Sequence, residues 1–280
     1  ISLMDRIDYS NDTATATAKG NLTANRMDMG ATSGQENGLA SAAVPAVPAT
    51  RTESGTPSPV GTDYGYWGGG NSPPQTTIDR VDFSNDTATA AVKGPLSLGR
   101  RFLTATGSTS HGYFAGGASP SQVSTVERID YGNDTATAVV KGPLSSARTN
   151  STGATGNASY GYFSGGYPGL SIVDRIDFSN DTATAALKGN LSKQQEAAYA
   201  TGNQSYGWFA AGGGGGAALT TVSRVDYSND TATGSPRGDL AQGRKWGGAT
   251  GNADYGYFGA GQPNVTSVDR IDYSNDTATA

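Results

Sequence analysis

Hydrophobic and polar positions alternate in short runs along this chain, and Gly, Asn, Asp and Ser break the runs apart. In residues 149–175 a short first strand over residues 152–155 ends at Gly156-Asn157, two residues that tolerate positive φ. A second strand, Tyr160-Gly161-Tyr162-Phe163-Ser164, runs into Gly165-Gly166, where missing side chains allow close backbone approach. A third strand over residues 172–178 alternates, with Val173, Arg175 and Asp177 on one face and Asp174, Ile176 and Phe178 on the other. Ser179-Asn180-Asp181 then turns the chain, since short polar side chains hydrogen-bond their own backbone. A fourth strand is expected over residues 182–187, with Thr182, Thr184 and Ala186 facing one way and Ala183, Ala185 and Leu187 the other.

This pattern repeats. The phrase Arg-Ile/Val-Asp-Tyr/Phe starts at Arg6, Arg80, Arg128, Arg175, Arg224 and Arg270, spaced by 74, 48, 47, 49 and 46 residues. Tyr-Gly-Tyr-Phe or a close variant starts at Tyr64, His111, Tyr160, Tyr206 and Tyr255. Four short strands per ~40–50 residues predict an all-β fold, a β-propeller of four-stranded antiparallel blades. About five blades are recognisable, in one domain over residues 1–280. The units run over residues 6–79, 80–127, 128–174, 175–223 and 224–269, with a partial unit at 270–280. The first unit carries an insertion at residues 27–53, a degenerate blade or a long loop, which would make a sixth blade if it completes a damaged copy. Gly30-Ala31-Thr32-Ser33-Gly34 matches Gly153-Ala154-Thr155-Gly156, and Asn37-Gly38-Leu39-Ala40 sits where Tyr-Gly-Tyr-Phe belongs. Pro45 and Pro48 then discourage a central strand.

Both ends of the sequence carry the third-strand phrase, and the last residues stop inside it, which reads as a segment of a longer or processed protein. One closing blade cannot use both copies. One terminal strand is therefore expected to pair outside a five-unit ring, with a preceding domain or another subunit.

Composition narrows the function. Hydrophobic residues make up 35% and charged residues 15%, and Gly accounts for 41 of 280 positions. The net charge of −5 argues against nucleic acid as a partner. No apolar run approaches the ~18 residues of a membrane-inserting helix. Cys is absent and His111 is the one histidine, which excludes disulfides, thiolate sites and multi-histidine metal centres.

The double glycine after an apolar strand, then an Asp-Tyr strand and a closing Arg, resembles a kelch repeat. The matching pairs are Gly68-Gly69, Gly116-Gly117, Gly165-Gly166 and Gly212-Gly213, with a fifth broken as Gly259-Ala260-Gly261. Asp82-Phe83, Asp130-Tyr131, Asp177-Phe178, Asp226-Tyr227 and Asp272-Tyr273 follow. The closing Arg is Arg26, Arg100, Arg148 and Arg244, with Gln195 once in its place. The family's Trp after the Tyr is missing from every copy; Trp67, Trp208 and Trp246 lie elsewhere. The resemblance implies the propeller fold. The phrase Asp-Tyr-Ser-Asn-Asp-Thr-Ala-Thr-Ala also resembles repeats in virion structural proteins of marine cyanophages.

Candidate chemistry is sparse. Asn-Asp-Thr triplets at Asn11, Asn85, Asn133, Asn180, Asn229 and Asn275 match the N-glycosylation acceptor pattern, but their fixed place in the repeat favours an Asx turn. No cofactor is implied; calcium is the one ion that the oxygens of Asp130, Asn133 and Asp134 would suit, although their spacing is not that of an EF-hand loop. His111 replaces a strand tyrosine, and carboxylates recur identically in each unit, as structural residues do. An enzyme needs an asymmetric cluster of acids, bases or nucleophiles, and the chain is therefore expected to be non-enzymatic. The variable loops after the double glycines supply candidate binding residues: Asn71, Gln75, Ser119, Gln122, Tyr167, Leu170, Gln262 and Asn264. The expected role is a structural or attachment module of a phage virion or cell surface, in an extracellular or virion location, with other subunits of an assembly or surface glycans as partners. A carbohydrate-binding lectin or adhesin and a kelch-type interaction adaptor are the alternatives.

Overall fold

Every repeat folds its two apolar phrases into five-residue strands that pair side by side. The computed structural model describes residues 2–27, 29–33, 64–71, 73–149, 153–214 and 217–280. Near the amino terminus, β1 (Leu3–Arg6) and β2 (Thr17–Asn21) form a two-stranded antiparallel sheet. Four four-stranded sheets follow. Blade I holds β3 (Gly30–Ser33), β4 (Tyr64–Gly68), β5 (Ile78–Asp82) and β6 (Ala91–Lys93). Blade II holds β7 (Thr104–Gly107), β8 (His111–Ala115), β9 (Val126–Asp130) and β10 (Val139–Lys141). Blade III holds β11 (Ala154–Gly156), β12 (Tyr160–Ser164), β13 (Val173–Asp177) and β14 (Ala186–Leu187). In blade IV, β15 (Tyr199–Gly202) and β16 (Tyr206–Ala210) are separated from β19 (Val222–Asp226) and β20 (Ser235–Pro236) by a small hairpin, β17 (Gly213–Gly214) and β18 (Ala217–Ala218). Blade V has three strands, β21 (Gly248–Gly251), β22 (Tyr255–Gly259) and β23 (Val268–Asp272).

The first strands of successive blades touch one another, so they line the axis, and the short exposed fourth strands form the rim. The all-β propeller expected from the repeat is the observed fold. The hydrophobic core lies between blades rather than inside one: Tyr66 and Ile78 of blade I pack with Phe114, Ile129 and Tyr131 of blade II. Trp208 and Val222 of blade IV pack likewise with Phe258 and Ile271 of blade V. Removing one such side chain from water stabilises the ring by about 1.5–3 kcal/mol, so a blade cannot hold its shape without its neighbour.

A carboxylate fixes each junction. Asp181 of blade III accepts hydrogen bonds from Arg128 Nη1 at 2.7 Å and Tyr113 at 3.0 Å in blade II, while Lys141 lies 3.1 Å away. Asp134 receives Arg80, Tyr66 and Lys93; Asp230 receives Arg175, Tyr162 and Lys188; Asp276 receives Arg224, Trp208 and Arg237. The same code places the β1–β2 sheet. Its Asp12 receives Tyr257 and Arg270 of blade V, and its Arg6 and Lys19 reach Asp86 of blade I. The β1–β2 sheet thus bridges blades V and I as a sixth, two-stranded sector. Residues 30–33 are the inner strand of blade I, and β1–β2 stands in the sector between blades V and I; the rest of the proposed copy, residues 34–53 with Asn37 to Ala40, lies outside the described residues. One sequence expectation is corrected here. The fourth strand of blade III is only Ala186–Leu187, because Asp181 is drawn to blade II and residues 182–185 follow it as a turn.

The recurrent Arg-x-Asp divides its work. The Arg reaches the next blade, but the Asp stays local: Asp177 accepts from the Ser179 N–H at 2.9 Å and caps a 3₁₀ turn over Phe178–Asn180. The ring that follows stacks on the preceding blade, as Tyr131 does on Tyr66 at 4.9 Å and Tyr227 on Tyr162 at 4.5 Å. The glycine match is also one residue out in blades I and IV. The residues in the left-handed region are Gly69-Gly70, Gly116-Gly117, Gly165-Gly166, Ala211-Gly212 and Ala260-Gly261. The second is always Gly, since a Cβ on Gly212 would lie 2.7 Å from the Glu196 carbonyl oxygen.

The closing arginines are buried in ion pairs. Arg100 meets Glu127 at 2.6 Å with both side chains fully buried, and it also donates to the Gly116 and Thr125 carbonyls. Arg26 pairs with Asp79, Arg148 with Asp174 and Arg244 with Asp269. In blade IV both charges are gone together, with Gln195 facing the Thr221 carbonyl and Ser223 where the acid would stand. Glu127→Ser alone is expected to cost about 3–5 kcal/mol, because it strands a buried guanidinium. The pair Arg100→Gln/Glu127→Ser, which copies blade IV, is expected to recover most of that loss; a double-mutant cycle in denaturant measures the coupling. Gly142→Ala is expected to destabilise by about 3 kcal/mol or more, since a Cβ there would lie 1.8 Å from the Ala183 carbonyl oxygen of the next blade. Gly248→Ala, with nothing within 4 Å, serves as the control and is expected to change stability by under about 0.5 kcal/mol.

Candidate functional site

One end of the ring gathers the loops between second and third strands and the crossovers that lead from one blade to the next. Backbone bridges tie them: Gln75 pairs with Arg100, Val123 with Arg148, Leu170 with Gln195 and Leu219 with Arg244. The residues after the closing position continue the belt, with Arg101 bridging Ala118, Thr149 bridging Tyr167 and Lys245 bridging Gln262. All eight candidate binding residues lie on this end. Tyr167, Gln122, Gln262 and Asn264 are exposed, and Asn71, Gln75, Ser119 and Leu170 are half-buried. Several also have structural duties. Asn71 Oδ1 accepts from Arg101 at 3.3 Å, Gln75 Nε2 donates to the Pro73 carbonyl at 2.8 Å, and the Leu170 carbonyl accepts from Gln195 N–H at 3.0 Å. Asn264 sits in the left-handed region at φ 50°.

The structure adds residues to this end that the loop argument missed. The crossovers place Phe102 and Trp246 at equivalent positions, both with φ 57°. Trp246 is 46% exposed, and Lys245 Nζ lies 4.7 Å from its ring centre. The Arg101 guanidinium lies 5.3 Å from the Phe102 ring. The signal was present in the sequence: each aromatic stands two residues after a closing Arg, where blade IV has only Ala197. This end therefore offers exposed aromatic rings, amides and a few cations, groups that stack and hydrogen-bond.

The carboxylates considered for calcium are otherwise engaged. Asp134 receives Arg80, Lys93 and Tyr66, while Asp130 accepts from the Gly132 N–H at 2.8 Å. Among the described residues no three His, Cys, Asp or Glu side chains converge as a metal site. The Asn of each triplet is exposed within its turn; Asn133 Oδ1 accepts from Thr135 at 3.4 Å and its carbonyl accepts from the Ala136 N–H. His111 stands in β8 with Nδ1 2.9 Å from Ser110 Oγ, away from the candidate loops. Burial and the neighbouring Arg128 charge push its pKa down. Burial and then Asp12 push Tyr257 up to about 12, and burial opposes ionisation of Asp181, yet Lys141, Tyr113 and Arg128 together hold that carboxyl below its ordinary range.

Among the described residues no helix is long and apolar enough to cross a membrane. No protein-family profile matches this chain, and no curated protein matches it.

The carboxylates set the response to acid. Hydrogen bonds from Ser84, Ser179, Ser228 and Ser274 lower Asp82, Asp177, Asp226 and Asp272, and Arg270 lowers Asp12. A depressed folded-state pKa means that the unfolded chain takes up protons first. Stability is thus expected to be fully present above pH ~4 and to fall progressively as pH drops through the folded values. Thermal unfolding at several pH values checks this, and Asp181→Asn is expected to flatten part of the acid limb while lowering the plateau.

Proposed function

We propose that this chain is a non-enzymatic structural or attachment module that binds through the loop-and-crossover end of its propeller. The observation that carries the reading is a division of labour. The charged residues that recur from unit to unit are spent on the frame, as Arg128, Lys141 and Asp181 join blades and Asp177 caps a turn. The side chains that differ between units, such as Tyr167, Trp246, Gln262 and Asn264, gather exposed at one end. A rigid frame with variable loops at one end is a binding architecture. Other protein subunits of an assembly are the partners this polar, weakly charged end suits best, and the likeness of its phrase to cyanophage virion repeats supports a place in a virus particle or on a cell surface. The kelch likeness supports protein interaction at the same end.

A sugar-binding role has its own support in Trp246, an exposed ring beside Lys245, Gln262 and the Asn264 turn. Flat apolar rings with adjacent amides suit the face of a pyranose. Cross-linking in the intact particle or cell is expected to join Lys193 and Lys245, which lie on the crossovers, to another structural protein. The variant Tyr167→Ala/Trp246→Ala/Gln262→Ala/Asn264→Ala is expected to keep its melting temperature and lose those cross-links. A glycan array that shows saturable binding abolished by Trp246→Ala replaces the subunit reading with the lectin one. Cross-links confined to the rim lysines Lys93, Lys141 and Lys188 overturn both.

A further inference from the structure

Between blade V and blade I the described residues leave a gap whose walls repeat surfaces that are covered elsewhere. In blades I–V, the third residue of the second strand pairs with the third-strand arginine: Tyr66 with Arg80, Tyr113 with Arg128, Tyr162 with Arg175, Trp208 with Arg224 and Tyr257 with Arg270. That same residue stacks on the aromatic ring of the next sector and donates to the next sector's aspartate. In the sixth sector Arg6 is 57% exposed, since among the described residues β1 pairs with β2 alone. Across the junction, Asp86 holds Arg6 and Lys19, but no aromatic donor reaches it among the described residues. Phe83, the ring at the matching position, is 40% exposed, whereas its counterpart Tyr131 is 1% exposed.

The other wall is the outer edge of β23. Blades I–IV cover this edge with β6, β10, β14 and β20, but here it lines a groove of about 360 Å³ with Arg270, Asp272, Asn275 and Ala280. Val268 is 42% exposed there. Asp12 holds Tyr257 and Arg270, and among the described residues the lysine or arginine that a fourth strand brings to every other junction is absent. Ala280 N–H donates to the Asp239 carbonyl at 3.0 Å, as Gly234 N–H does to Asn190, so the chain stands at the point where β20 begins in blade IV.

We propose that this gap is a docking site for a polypeptide segment in the chain's own repeat pattern, which adds a fourth strand to β23 and a first and second strand beside β1. The fit is specific at three points. A basic residue ending the added outer strand meets Asp12, as Lys141 meets Asp181. A threonine of the added first strand meets no phenol, because Phe83 has none; the equivalent Thr106 beside Phe178 shows that this is tolerated. A Tyr or Trp of the added second strand covers Phe83 and donates to Asp86. Main-chain pairing along both open edges supplies affinity, and these side chains supply register. The site lies on the flank of the ring and is independent of the loop end described above.

The test appends a copy of residues 235–267 directly after Ala280, which continues the repeat in register from Gly234 up to the position before Val268. Amide exchange in β1 and β23 is expected to slow at least tenfold, and the melting temperature to rise, with the mass still that of a monomer. Tyr257→Ala made only in the appended copy is expected to return β1 to the exchange of the parent, and Phe83→Ala to weaken the effect in part. A parent chain whose β1 and β23 edges are already protected overturns the proposal. So does an extended chain with no added protection, or a parent dimer that Phe83→Arg dissociates, since a second copy would then own the gap.

Discussion

The carboxylate between blades is the interaction on which the ring depends. A phenol or indole, a guanidinium and an ammonium or second guanidinium from one blade converge on a single aspartate of the next, as at Asp181, Asp134, Asp230 and Asp276. Hydrogen bonds to an ionised acceptor are among the strongest in proteins, and here three donors share one. The aspartate must stand at a fixed height and angle to receive them, and this fixes the turn around it. The 3₁₀ segment capped by Asp177, the exposed Asn180 and the truncated β14 all follow from that demand. So does the glycine after each lysine, whose N–H donates to the carbonyl of the same aspartate, as Gly142 does to Asp181.

The period and the alternation of Tyr160 to Ser164 and Val173 to Asp177 made the blades legible, because strand pairing within a blade is local and writes itself as a period of two. The use of Asp181 was not legible. A phrase such as Asp-Thr-Ala-Thr-Ala has the β-branched alternation of an outer strand, and nothing within one unit shows that its acid is claimed by the preceding one. The left-handed pairs show a similar limit. The sequence marks glycine, but Ala211 and Ala260 occupy the first position at modest strain, so counting Gly-Gly shifts the match by one residue. The loop residues from Asn71 to Asn264 were found because variation stands out against a near-identical repeat. Trp246 was not legible as a member of this end because it lies on a crossover, outside the strands that define the unit.

Blade IV shows how much freedom the frame retains. Its closing position holds Gln195 and its acid position Ser223, while Ser192 Oγ hydrogen-bonds the Ser223 hydroxyl. A buried ion pair contributes little over a neutral arrangement of similar shape, although half of one is costly. The two sites therefore change together or not at all. The crossover next to this neutral pair carries Ala197 where others carry Phe102 and Trp246, so the loop end varies above a frame that stays the same.

The junction also has a polarity. Each of blades I–IV carries a socket, its aspartate, on one flank and the matching cations and aromatic donor on the other, and all sectors point the same way around the axis. A unit of this kind is complementary to itself head to tail. A gene that gained or lost one of these units by unequal recombination would leave every surviving junction with the donors it already has, and only the curvature of the ring would need to adjust. Blade number is thus a quantity that such a repeat can change in whole steps, without an intermediate that exposes a broken junction.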